Sequence, residues 1–160
     1  MKEKKHMTVA KQQKDGGTFL LVVDITDEFT VAVDYASDFA QANRGHIALL
    51  NVIDIDHFDH WGNIEGKVKK EMRTQAENLI YETAGRITSR TGMIPMVCIE
   101  EGSRSEVILE TINTYPEICM LILGGDSHSS NPGPLVSYFA GKGLSRLRVP
   151  LMIVPGHLQF

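Results

Sequence analysis

The chain has 160 residues, which suits a single domain that is large enough to bury a core. Its composition is typical of a globular protein, with 42% apolar and 22% charged residues, and the net charge of -4 does not favour nucleic acid or an anionic membrane as a partner. No apolar run approaches the roughly 20 residues that a membrane helix needs.

The N-terminal residues are polar and rich in lysine, and they lack the apolar middle of a signal peptide. We therefore expect residues 1–17 to form a mobile arm and residues 18–160 to form one domain. Cys98 and Cys119 lie in apolar, strand-like runs without the spacing of a zinc site. Free buried thiols of this kind predict a reducing compartment, and hence a cytoplasmic protein.

The first half of the chain alternates short apolar runs with helical patterns. Residues 19–23 are typical of a strand that is covered on both faces. Thr26 or Asp27 is then expected to begin a helix, because a short side-chain oxygen can accept a free backbone N–H there. A second buried strand is predicted over residues 47–53 and a long amphipathic helix over residues 64–90.

The second half repeats this alternation. A third strand is predicted over residues 93–99, and residues 103–106 (SRSE) predict a capping box at the start of the next helix. A fourth strand covers residues 118–123, Pro134 is suited to the first turn of a fourth helix, and a fifth strand covers residues 151–154. This alternation predicts an α/β fold with a doubly wound parallel sheet and helices on both faces.

Three features of this pattern resemble the universal stress protein family. An aspartate, Asp24, ends the first strand, a capped helix follows the turn in EEGSRSEVILETI, and the chain closes with LILGG and VPLMIVPG. The resemblance covers about residues 18–156. It implies a five-stranded sheet in the order 3-2-1-4-5, of the adenine nucleotide alpha hydrolase type. In such a sheet a ligand binds where the strand order reverses, outside the carboxyl ends of strands one and four.

ATP-binding members of this family carry the motif G-x2-G-x9-G-[ST] after the fourth strand. The motif falls here on Gly124, Ser127, Ser137 and Tyr138, so that only its first glycine is retained. The added side chains are expected to crowd a pyrophosphate, and the ring of Tyr138 to fill phosphate space. No Lys or Arg lies between Gly124 and Ala140, although the backbone amides of the loop and the dipole of the next helix remain.

The resemblance also assigns three residues on the nucleoside side of the crevice. Asp24 corresponds to an aspartate that contacts the nucleotide, and its alternative role is to anchor the turn after strand one. Val52 and Leu123 correspond to positions that flank an adenine, and their alternative role is to fill the core. The implied function is that of a non-catalytic stress-response binding protein with a degenerate nucleotide crevice. The alternative is an ATP-binding member with bound Mg²⁺ and with slow hydrolysis or nucleotide-dependent switching.

Other kinds of site are less consistent with the sequence. The polar loop after strand two favours a solvated segment over a metal site, because its ligands are sequential; they are Asp54, Asp56, His57, Asp59 and His60. The chain has no GxSxG motif of a hydrolase. A phosphotransfer domain needs an aspartate at the end of strand three, where this chain has Glu100 and Glu101. We therefore predict neither a metal nor an enzymatic activity.

The last strand predicts a homodimer. The residues Val149 to Pro155 form the apolar edge of the sheet, and members of the resembling family pair this edge with its twin. An open apolar edge would otherwise favour aggregation. Residues 157–160 are expected to extend this contact.

Overall fold

The computed structural model describes residues 16–55 and 65–160. Five parallel strands form one sheet in the order β3-β2-β1-β4-β5, as the resemblance implied. The strands are β1 (Thr18–Val22), β2 (His46–Ile53), β3 (Met96–Glu101), β4 (Ile118–Gly125) and β5 (Leu151–Pro155). The described helices are α1 (Asp27–Ala42), α2 (Glu65–Thr91), α3 (Arg104–Thr114) and α4 (Pro134–Phe139), with a short 3-10 turn at Leu144–Arg146.

Helices cover both faces of the sheet. Successive side chains of each strand point to opposite faces, so that each strand contributes to both helical layers. Leu21 of β1 packs with α1 and α2 in one buried cluster, and Leu20 packs with α3 and α4 in the other. Both side chains are fully buried. The central strands therefore read as continuous apolar runs, as is usual for a parallel sheet between two helical layers.

Helix α1 begins as predicted and is bound to α2 by paired charges. The hydroxyl of Thr26 accepts the N–H of Phe29 at 3.3 Å. Arg86 of α2 donates two hydrogen bonds to Asp34, at 2.7 and 2.6 Å. One turn further along, Arg90 donates a bidentate pair of hydrogen bonds to Asp38, at 2.6 and 2.7 Å.

The third strand begins later than predicted. The expectation was residues 93–99, whereas β3 covers Met96–Glu101. Gly92 ends α2 with a positive φ of 75°, and Pro95 follows soon after. Because proline has no N–H to donate to a neighbouring strand, pairing begins only at Met96.

The capping box predicted at residues 103–106 is not formed. Ser103 is the N-cap of α3, but its side chain makes no capping hydrogen bond. The carboxylate of Glu106 instead accepts two hydrogen bonds from Arg146, at 2.6 and 2.9 Å. These two charge-assisted bonds replace the return contact to the backbone of Ser103.

The basic residues near the C-terminus, Arg146 and Arg148, lie beyond the fourth helix, because α4 ends at Phe139. Arg146 lies in the 3-10 turn and also donates to the hydroxyl of Tyr138 at 2.8 Å. Arg148 donates to the carbonyl oxygens of Ile112 and Tyr115 and so caps the end of α3. Both arginines hold neighbouring elements together.

Neither cysteine forms a disulfide, and Cys119 is exposed, although it was expected to be buried. The pairing of β1 with β4 shifts by one residue at this point, from Thr18 opposite Ile118 to Phe19 opposite Met120. Cys119 is thus the extra residue of a bulge, and its side chain leaves the regular pattern of the strand.

The described parts of the two ends are in contact with the domain. Gly16 and Gly17 were predicted to close the mobile arm, but the N–H of Gly16 donates to Arg44 and the carbonyl oxygen of Gly17 accepts from His46. The rest of the predicted arm, residues 1–15, lies outside the described residues. At the other end, the ring of Phe160 makes an edge-on contact with Tyr35 of the same chain, with the centroids 5.5 Å apart.

Candidate ligand crevice

The main candidate site is a crevice at the carboxyl ends of β1 and β2, beside the first half of α2. Its volume is about 570 Å³. Apolar side chains form most of its walls, and five polar residues line it as well. The polar residues are Asp24, Asn51, Asp54, Gln75 and Arg104. An apolar cleft with a few convergent polar groups is the usual form of a small-molecule site.

Asp24 stands at the centre of this region. One of its oxygens accepts the N–H of Ile25 at 2.8 Å, and the other lies 3.5 Å from the guanidinium of Arg104. Both side chains are partly exposed, 38% for Asp24 and 26% for Arg104. Asp24 therefore both anchors the turn after β1 and faces the crevice, so that the two roles weighed for it are compatible.

Arg104 was not predicted as a site residue. It is the first residue of α3 and lies at the carboxyl end of β3, which is the same edge of the sheet as Asp24. The available signal was its place in the turn of GSRSE directly after a strand. Arg104 supplies the crevice with a positive charge that the loop after β4 lacks.

A second, much smaller cavity lies at the carboxyl end of β4. It has a volume of about 40 Å³ and is lined by Asp24, Leu123, Gly124 and the segment 132–136, among others. Gly124 is in close contact with the first turn of α1, where the carbonyl oxygen of Glu28 would lie 2.7 Å from a Cβ at this position. This cavity leaves little room for a pyrophosphate between α1 and the loop.

Several backbone N–H groups of the loop after β4 donate hydrogen bonds to acceptors within the same loop. The N–H of His128 donates to the carboxylate of Asp126 at 2.8 Å, and the N–H of Gly133 donates to the side chain of Asn131 at 3.0 Å. The N–H of Asn131 donates to Ser129, and that of Asp126 donates to the carbonyl of Pro132. Four backbone donors expected to remain for phosphates are therefore already bonded.

The charge of this loop is also unsuited to phosphate. Hydrogen bonds from the N–H of His128 and the hydroxyl of Ser129 hold the pKa of Asp126 below its usual value. The loop therefore carries a full negative charge near neutral pH. Helix α4, which follows the loop, has only six residues and so adds a weaker dipole than the sequence suggested.

The structure brings together only part of the predicted site. Asp24 and Val52 line the large crevice, and Asp24, Leu123 and Gly124 line the small cavity. Val52 and Leu123 are at the same time buried in the core.

The remaining predicted residues, Ser127, Ser137 and Tyr138, line neither space. Ser127 is exposed, and the hydroxyl of Ser137 donates to the side chain of Asn131 at 3.4 Å. The ring of Tyr138 lies against Gly143 and Phe139 instead of in a phosphate path.

Two further findings concern other kinds of site. Within residues 16–55 and 65–160, no three His, Cys, Asp or Glu side chains are placed to hold a metal ion. Most of the polar loop considered for a metal, residues 56–60, lies outside the described residues. In the described part of the chain, every helix is too short or too polar to cross a membrane.

The fold is that of an open α/β protein with a crevice at the carboxyl ends of its strands. The sequence model of the universal stress protein family matches residues 17–155, and the chain belongs to this family. No curated protein matches the chain as a relative.

Solved structures show the same fold. The universal stress protein UspA from Lactobacillus plantarum is similar with a TM-score of 0.72 and 18% identity, over 88% of this chain and 98% of that one. A universal stress protein in complex with cAMP has a TM-score of 0.59 and 14% identity, over 88% and 97% of the two chains. One from Archaeoglobus fulgidus in complex with dAMP has a TM-score of 0.53 and 9% identity, over 86% and 97%.

Proposed function

We propose that this universal stress protein is a non-catalytic binding protein of the stress response, with a crevice that accepts the nucleoside part of a ligand and a loop that no longer holds a triphosphate. The observation that carries the proposal is the internal bonding of the loop after β4. Its N–H groups at Asp126, His128, Asn131 and Gly133 all have partners within the loop.

The nucleoside side of the crevice supports the binding role. Its volume of about 570 Å³ lies in the range of small-molecule sites. In this proposal Asp24, which follows β1, accepts ribose hydroxyls, as acidic residues do in other doubly wound sheets. The similar structures in complex with cAMP and dAMP are consistent with an adenine-containing ligand.

The charges beside the loop support the proposal of a non-catalytic role. Hydrolysis of ATP requires positive groups or Mg²⁺ to neutralise the transferred phosphate. Residues 124–140 contain Asp126 and no Lys or Arg. Arg104 lies on the other side of Asp24, where it pairs with that carboxylate.

A titration with Mg²⁺ and ATP tests this proposal. A ligand at a hundred times its dissociation constant would add about 2.7 kcal/mol of stability. We expect no rise in melting temperature with millimolar ATP, no rise with tripolyphosphate, and no phosphate release over the background. Tripolyphosphate has no nucleoside, so that it tests phosphate binding by the loop alone. Tight binding of ATP, or turnover that is lost with Asp24→Asn, would favour the alternative of an ATP-binding member.

We also propose that the protein is a homodimer that pairs through residues 149–155. β5 is an edge strand of the sheet, and Ile153 is 39% exposed on it. Leu144 and Leu158, which flank β5 in the chain, are 53% and 37% exposed. An edge of this kind is stabilised when a second copy covers it. The mass in solution, measured by light scattering, tests this proposal.

A further inference from the structure

We propose that the crevice selects an uncharged nucleoside over the phosphorylated forms of the same nucleoside. This inference rests on the proposed function and names the class of ligand for the same site. It is carried by the charges that surround the crevice and by the polar groups inside it.

The walls of the crevice suit a flat heterocyclic base. Val52 and Ile53 of β2 and Met72, Ala76 and Leu79 of α2 line the crevice. Placing an aromatic base against such side chains is favourable, because it removes apolar surface from water.

The polar groups inside the crevice suit uncharged hydrogen-bonding partners. The amide nitrogen of Asn51 donates to the carbonyl of Ala76 at 3.2 Å, which leaves its side-chain oxygen as an acceptor. Gln75 lines the crevice with both a donor and an acceptor. The carboxylate of Asp24 can accept both hydroxyls of a ribose, since an ionised carboxylate has several acceptor positions.

Among the residues that the structure describes, acidic groups outnumber basic ones around this position. The crevice itself contains Asp24 and Asp54, and the adjoining groove between α1 and α2 contains Asp27 and Glu82. The small cavity adds Glu28. Of the described residues that line the crevice and the groove, Arg104 and Arg86 are the basic ones.

Both of these arginines already face carboxylates. Arg104 lies 3.5 Å from Asp24, and Arg86 is bonded to Asp34 at 2.6 Å. Asp126, in the loop next to the small cavity, adds a further negative charge. A phosphate at the open end of the crevice therefore meets net repulsion, which a nucleoside without phosphate avoids.

The experiment compares adenosine, AMP and Mg²⁺-ATP by calorimetry on the same protein. We expect adenosine to bind about tenfold more tightly than AMP at low salt, and this ratio to fall as salt screens the repulsion. Asp24→Asn is expected to weaken adenosine about tenfold, because it removes the charge and replaces one of the two acceptor oxygens with an NH2 donor.

Matched variants separate charge from shape. Glu82→Gln removes an acidic group beside the crevice and is expected to improve AMP binding about threefold without affecting adenosine. Glu110→Gln removes a charge that lines a different cavity, next to Cys98, and is expected to affect neither ligand. Arg104→Gln is expected to weaken AMP more than it weakens adenosine, because it removes a positive charge that lines the crevice.

The outcomes distinguish this inference from the proposed function. If AMP binds more tightly than adenosine and ATP does not bind, the preference for the nucleoside is wrong and the proposed function stands. If ATP binds most tightly, both are wrong. If none of the three ligands binds, the crevice is not a nucleoside site, and both the proposed function and the preference are wrong. An equal effect of Glu82→Gln and Glu110→Gln on AMP would also contradict the preference.

Discussion

The carbonyl oxygen of Glu28 lies so close to Gly124 that a Cβ added to this glycine would sit 2.7 Å from it. The helix α1 therefore packs directly on the backbone of β4. This contact requires a glycine whether or not a ligand is bound. The first glycine of a phosphate motif can thus be retained for the packing of a helix, and its presence does not by itself indicate a phosphate site.

We expect Gly124→Ala to destabilise the protein by about 1–3 kcal/mol, because the methyl group meets the backbone of α1, which cannot yield as a side chain would. Chemical denaturation without ligand measures this change. A variant as stable as the native protein would show that α1 can shift away from β4.

Gly85→Ala is the matched control for that substitution. Gly85 lies inside α2, and a Cβ added there has no neighbour within 4 Å. Alanine has the higher helix propensity, and we expect it to stabilise the protein by about 0.5–1 kcal/mol. A loss of stability in this variant would mean that α2 is constrained in a way that its contacts do not show.

The ion pair between Arg86 and Asp34 is expected to couple α1 with α2. A double-mutant cycle of Asp34→Asn and Arg86→Gln should give a coupling of about 0.5–1 kcal/mol at low salt, with the lower end favoured because Arg86 is 50% exposed. The coupling should shrink in high salt. The pair of Arg73 and Glu77 within α2 is the control, with an expected coupling of about 0.3 kcal/mol.

The pH dependence of the free energy of unfolding should show the contribution of Asp38, which binds Arg90 between α1 and α2. Hydrogen bonds from Arg90 hold the pKa of Asp38 below its usual value. Its contribution to the free energy of unfolding is therefore full above the pKa of the unfolded chain and is lost as the pH falls below about 4. Asp38→Asn should lower the free energy of unfolding at neutral pH and converge with the native protein in acid. Parallel curves at all pH values would contradict this.

Cys98 is expected to be a poor nucleophile. Burial, followed by the hydrogen bond to Glu100, raises the pKa of its thiol to about 11. In a Cys119→Ser background, the rate of alkylation should stay low at neutral pH and should rise with a midpoint near this value. Glu100→Gln should lower the midpoint, since it removes a negative charge 3.3 Å from the sulfur. An unchanged midpoint would leave burial as the sole cause.

The proposed dimer predicts a specific sensitivity of β5. Ile153→Glu places like charges across the two-fold axis and should raise the dissociation constant by about tenfold or more. Light scattering over a dilution series measures this change. Ile94→Glu is the control, because Ile94 is 86% exposed and lies just before β3 at the opposite edge of the sheet. If both variants raise the dissociation constant of the dimer equally, the subunits do not pair specifically through β5.

Local patterns were sufficient to predict most of the fold. Apolar runs, the cap at Thr26 and the proline at the start of α4 are short-range signals, and each was confirmed. The start of β3 was missed because the missing N–H of Pro95 was not weighed against the apolar run. The positions of Asp24 and Gly124 followed from the strand order that the family resemblance implied, together with the rule that ligands bind at the ends of parallel strands.

The rest of the site depends on partners that are distant in the chain. Arg104 meets Asp24 across 80 positions, and Glu106 meets Arg146 across 40. The capping box was wrong because Glu106 binds the distant Arg146, and a partner of this kind is fixed by the tertiary structure. The free amides were wrong for a local reason, because acceptors within the same loop bind them.

The first described strand, β1, lies in the middle of the sheet, and its two neighbours, β2 and β4, are synthesised at very different times. Thr18 pairs with His46 on one side and with Ile118 on the other. A nascent chain that has completed β1, α1 and β2 therefore leaves one side of β1 open until the ribosome has added many more residues. We expect the domain to fold late in translation, in one step, and to need protection from aggregation until β4 emerges.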